Sequence, residues 1–131
     1  SEIVFNEINI DWNSELTLVE GPFDLFKCNQ NATCLLGSTL SEGHKLFKMI
    51  VTNLTPVLLA LDNDASKKTQ KIASLLASYD VPVRVMDTSG YEDVGEMTSE
   101  QFAKLSKSAP LWSSNDRLRS LISTIKSGSL L

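Results

Sequence analysis

Apolar runs of strand length alternate along this chain with segments whose apolar positions recur every three or four residues. Leu16-Thr17-Leu18-Val19, Ala32 to Leu36, Val57 to Leu61 after Pro56, and Val81 to Met86 each predict a strand. Between them Gly21-Pro22 opens a short helix, with proline where its missing N–H costs nothing. Ser41 with Leu46, Phe47, Met49 and Ile50 reads as a capped amphipathic helix running to about Asn53. From Ser66 to Tyr79, Ile72, Ala73, Leu75, Leu76 and Tyr79 fall on one helical stripe, and a further helix spans about Ser99 to Lys107 with Phe102 and Leu105 inward. The resulting order of strands and helices is that of an α/β domain with a parallel sheet covered on both faces.

The two ends stand apart from this alternation. Residues 1–13 form an N-terminal extension: the stretch Ile3 to Trp12 partly alternates and reads as an edge strand or an extended lead-in, before a domain over 14–110. Pro110 and Trp112-Ser113-Ser114-Asn115 interrupt the pattern, and 111–131 then carries a C-terminal amphipathic helix with Leu118, Leu121, Ile122 and Ile125 on one stripe. That stripe docks on the core or serves a neighbouring domain.

Composition narrows the class without choosing a function. At 131 residues the chain has room for one domain and its core, and 42% hydrophobic with 21% charged residues is the balance of a soluble globular protein. A net charge of −4 gives the surface as a whole no attraction for a polyanion. Contact with nucleic acid must therefore come from a local basic patch or from a partner domain. Cys28 and Cys34 are too few for a four-cysteine zinc site and read as free thiols in a reducing, cytoplasmic setting. No apolar run approaches the ~18 residues of a membrane span, and no signal peptide opens the sequence, which begins at Ser1 as an excised domain would.

The candidate chemistry lies in three acidic clusters at predicted strand ends: Glu20 and Asp24, Asp62 and Asp64, Asp93 and Glu96. Acids following parallel strands emerge at the carboxyl end of one sheet, where open α/β folds bind their ligands. Carboxylates gathered there repel by roughly 4 kcal/mol per close pair at an effective dielectric near 20, which a cation relieves. Hard oxygen donors suit Mg2+ or Mn2+. The competing structural reading is that Glu20, Asp24 and Asp64 cap helix N-termini. It suits Asp24 better than the Asp62 and Asp64 pair, since capping needs one acid.

Other polar and aromatic residues carry less. Lys67, Lys68 and Lys71 open a helix, against its dipole, and serve either as a solvated face or as phosphate contacts. His44 reads as a surface residue, and Tyr91 and Trp112 as core cover before base-stacking groups.

Four of these segments together resemble the TOPRIM domain, and within it the DNA primases of bacterial and phage type. Leu18-Val19-Glu20-Gly21-Pro22-Phe23-Asp24 is similar to its first motif, a strand followed by Glu-Gly and an aspartate four residues after the glutamate. Leu35-Leu36-Gly37-Ser38-Thr39-Leu40-Ser41 resembles the Gly-Thr-x-Leu-Thr turn of the primases, Leu61-Asp62-Asn63-Asp64-Ala65 the DxD motif, and Glu92-Asp93 with Glu96 the acidic loop after the fourth strand. The chain departs from the pattern at Ala65-Ser66-Lys67, where relatives carry x-Ala-Gly, and at Gly95, where a second aspartate is common.

The resemblance implies a TOPRIM-like parallel four-stranded sheet flanked by helices. It implies the metal-binding catalytic core of a phage-like DNA primase, a fragment of a larger protein that makes RNA primers on single-stranded DNA during replication. On this reading Asp62 and Asp64 ligate Mg2+ or Mn2+, Glu20 ligates the same ion or accepts a proton, and Asp24 and Asp93 hold a second ion. Lys67 and Lys68 would contact phosphate, and Glu96 would stand in for the missing second aspartate. In-line attack of a ribose hydroxyl on an α-phosphate builds charge on both apical oxygens, which is why such carboxylates and ions are needed. The implied partners are template DNA and ribonucleotides, reached through further domains, with a replicative helicase or a zinc-binding domain, and no membrane. A small TOPRIM nuclease would use the same acids, and a non-catalytic TOPRIM module would bind metal or a partner through its terminal helix.

Overall fold

A computed structural model describes residues 3–27, 31–92 and 94–113. Among them, strands β1 (Leu16–Val19), β2 (Ala32–Cys34), β3 (Val57–Leu59) and β4 (Val83–Val85) form one sheet in the order β2-β1-β3-β4, every neighbouring pair parallel. The α-helices are α1 (Lys45–Asn53), α2 (Ser66–Ser78) and α3 (Ser99–Ser108), with a 3-10 helix over Pro22–Lys27. The predicted α/β fold is thus the one adopted.

Alternation along each strand assigns the two faces. Leu16 and Leu18 of β1 and Val57 and Leu59 of β3 pack with Leu46, Phe47 and Ile50 of α1 and Ile72, Ala73 and Leu76 of α2. Val19, Leu58 and Ala60 face the opposite way, into a second cluster with Met86, Val94, Met97 and Phe102 of α3. Two apolar faces leave no solvated side on β1 and β3, which explains why every residue of both is buried and all but Thr17 are apolar.

The boundaries differ from the sequence expectations in places that have physical causes. Ser41 does not cap α1: the N-cap is His44, whose Nδ1 accepts the Ser41 backbone N–H at 3.1 Å, so residues 41–44 form a turn before the helix. The strand Ala32 to Leu36 ends at Cys34 in regular form, although Leu35 and Leu36 still donate to the Val19 and Glu20 carbonyls at 2.9 and 3.0 Å. Residues 3–13 add no strand. They make a 3-10 turn at Glu7–Asn9 and lie beside β2, where Asn6 Nδ2 donates to the Ala32 carbonyl and Thr33 Oγ1 to the Phe5 carbonyl. The Asn31 side chain fastens this lead-in by donating to the Asp11, Ser14 and Glu15 carbonyls.

On the far side of the sheet, Leu111 forms an antiparallel bridge with Arg84, and Trp112 N–H donates to the Val83 carbonyl at 2.7 Å. Arg84 meets Glu15 through two parallel bonds of 2.9 and 2.7 Å and donates to the Ser106 and Ala109 carbonyls, joining β4, the entry to β1 and the end of α3. The predicted terminal helix lies outside the described residues. No helix among those described is long and apolar enough to cross a membrane.

Candidate functional site

The parallel register brings the first two acidic clusters to neighbouring positions. Leu18 pairs with Leu59 and its carbonyl accepts the Ala60 N–H at 2.9 Å, so continuing the register sets Glu20 level with Leu61, one residue before Asp62. Glu20 is held in the last rung by its carbonyl, which accepts Leu36 N–H. The chain turns immediately after Leu61, where the Asp62 carbonyl accepts Ala65 N–H at 2.9 Å and α2 begins at Ser66. Asp62 is half-buried, while Asn63 and Asp64 are exposed at the tip of the turn. Thr88 Oγ1 donates to the Leu61 carbonyl at 2.9 Å and so ties the segment after β4 to the same spot.

Glu20 is already engaged by a cation from within the chain. Lys68 Nζ lies 3.0 Å from Glu20 Oε2, and the two side chains retain only 19% and 17% of their exposure. Lys67 and Lys71 are exposed. The three lysines are therefore not equivalent: the one nearest the acids is an ion-pair partner, and the others form the solvated face. A pair largely withdrawn from water is screened less than a surface pair and demands its partner more strictly.

Asp24 takes a different place from Glu20. It is 8% exposed; Oδ2 accepts Gly21 N–H at 3.1 Å and Oδ1 accepts Gly95 N–H at 3.0 Å. The carboxylate thereby couples the segment after β1 to the 3-10 turn at Val94–Glu96. Glu96 is exposed and accepts the Glu92 backbone N–H within its own loop. Asp93 lies outside the described residues.

The turn after β2 puts Leu36 and Gly37 in succession at φ +52° and +80°. Two left-handed residues reverse the chain sharply, and glycine adopts that conformation without a Cβ penalty. Beside the turn a shallow groove is lined by Val4, Cys34, Leu36, Ser38, Leu40 and His44. Burial pushes the Cys34 thiol up from its ordinary value of 9.0; a Leu36 backbone N–H opposes this and the charge of Asp24 adds to it. Tyr91 and Trp112 are half-buried and pack against the core, Trp112 donating Nε1–H to Gln70 at 2.8 Å.

Sequence reasoning passed over Asp87, an exposed acid just beyond β4 whose carboxylate accepts the Ser89 backbone N–H and hydroxyl. Those bonds, the hydroxyl first, lower its pKa. The signal was the one used for Glu20 and Asp62, an acid that follows an apolar strand.

Glu20, Asp62 and Asp64 are hard oxygen donors of the kind Mg2+ or Mn2+ takes. As arranged here they do not form a ready metal site: among the described residues no three His, Cys, Asp or Glu side chains converge to hold an ion. Lys68 fills the role of positive charge at Glu20 instead.

No protein-family model and no curated protein matches the chain. Its fold is similar to that in the crystal structure of the Aquifex aeolicus primase, zinc binding and RNA polymerase domains, with a TM-score of 0.62 and 23% sequence identity. The match covers 86% of this chain and 29% of that one, so the sequence spans under a third of the relative's length and shares with it a primase-like α/β fold.

Proposed function

We propose that this chain is the TOPRIM core of a DNA primase, the part of a larger enzyme that joins ribonucleotides on single-stranded DNA. The observation that carries the reading is the emergence of Glu20 and Asp62-Asn63-Asp64 from adjacent parallel strands, at the end of the sheet where α/β folds act. Likeness of fold to a bacterial primase supports it. Asp62 and Asp64 are the proposed ligands of Mg2+ or Mn2+, Glu20 ligates with them or accepts the proton of the attacking hydroxyl, and Asp24 and Asp93 are proposed for a second ion. Template, ribonucleotides and a helicase or zinc module are the proposed partners. The non-catalytic alternative draws on the Lys68–Glu20 pair, which satisfies the glutamate without any metal.

Labelled ribonucleotide incorporation on single-stranded DNA, measured with the complete protein and Mg2+ or Mn2+, tests the proposal. Incorporation that the Asp62→Asn/Asp64→Asn variant loses by 100-fold or more, roughly the loss from removing a major electrostatic element of a site, is expected. Cleavage of labelled DNA with no nucleotide present selects the nuclease, and neither activity selects the binding module.

A further inference from the structure

We infer that Lys68 is the resident counter-ion of the site, occupying the place at Glu20 that a divalent cation ligated by Glu20 would take, so that metal engages the glutamate by displacing its ammonium group. The inference rests on the proposed metal-dependent reading and adds to it a competitor carried by the chain itself.

Three observations converge on this lysine. Its Nζ is 3.0 Å from Glu20 Oε2, with both side chains mostly withdrawn from water. It is the third residue of α2, where the positive end of the helix dipole disfavours a cation, and Ala65 at the N-cap provides no side-chain bond to compensate. Helix formation alone therefore gives no reason for an inward lysine, whereas Lys67 and Lys71 on the same helix are exposed. The acids supply the reason. Glu20 stands level with the residue before Asp62, and a positive charge on Glu20 lowers the net negative charge at the ends of β1 and β3.

The same charge excludes a divalent ion from Glu20. An ammonium group at hydrogen-bond distance and a doubly charged cation on one carboxylate repel each other more strongly than two unit charges would, so occupancy by one disfavours the other. This accounts for the want of a three-ligand cluster among the described residues: the glutamate is aimed at lysine.

Mn2+ binding followed by electron paramagnetic resonance tests the idea on the native chain, Lys68→Gln, Lys68→Arg and Asp62→Asn/Asp64→Asn. Lys68→Gln is expected to bind Mn2+ about tenfold more tightly than the native chain, a change of about 1.4 kcal/mol. Lys68→Arg, which keeps the charge, is expected to stay within about twofold of the native chain, a difference under 0.5 kcal/mol. Thermal melting in EDTA provides a second reading that needs no catalysis: Lys68→Gln melts lower than the native chain, and Mn2+ raises its melting temperature by the larger increment. Equal Mn2+ affinity in the native chain and Lys68→Gln overturns the inference and leaves the primase reading standing. Absence of Mn2+ binding in both overturns the two together.

Discussion

Asp24 shows how one residue can satisfy a motif and still do structural work. Its two oxygens accept N–H groups from Gly21 and Gly95, 71 positions apart from the latter in sequence, in a nearly buried setting. Replacing one oxygen by an amide sets a donor against a donor, so Asp24→Asn is expected to cost about 1–3 kcal/mol in urea unfolding with EDTA present. A loss seen only when Mg2+ is added would instead make Asp24 a ligand first. Cys34 gives a pH signature. Because its folded pKa is raised, the neutral buried thiol contributes stability fully below the ordinary value of 9.0, and this is lost as pH rises through the folded value. Urea midpoints between pH 8 and 10 should fall more steeply for the native chain than for Cys34→Ala. At this scale the sequence reveals an acid by its position after an apolar run, as it does for Glu20 and Asp62. It does not reveal partners: Lys68 is 48 positions from Glu20, and only the folded register brings them together.

Elements were legible where one physical signal dominated. β1 runs Leu16–Val19, as its apolar run predicts, and α2 and α3 follow their apolar stripes to within a residue. The start of α1 was misplaced because Ser41 has the chemistry of a cap but sits in a turn whose backbone is completed by His44. The stretch Ile3 to Trp12 partly alternates and so reads as an edge strand or an extended lead-in; Val4, Ile10 and Trp12 pack on the core from irregular backbone tied by Asn31. Arg84 governs how the elements are joined. Its guanidinium grips Glu15 with two bonds while meeting the Ser106 and Ala109 carbonyls at the end of α3, and the bonds to Glu15 raise its pKa. Lysine cannot reproduce that planar fork, and Arg84→Lys is expected to lose about 1–2 kcal/mol by chemical denaturation. Amide exchange should quicken in α3 ahead of α1.

At the scale of the molecule, the sheet has two outer strands, and each meets company that is not another strand of the sheet. β2 is accompanied by the lead-in through Asn6 and Thr33, and β4 by the segment around Leu111. Unpaired main-chain groups on an outer strand can template further strands from other molecules. These two flanking segments therefore act as guards against intermolecular β-pairing. A chain shortened to begin at residue 14 loses one guard, and it is expected to self-associate in light scattering at concentrations where the intact chain stays monodisperse. Polar bonds outside the named strands are thus expected to govern how readily the chain stays dispersed in solution.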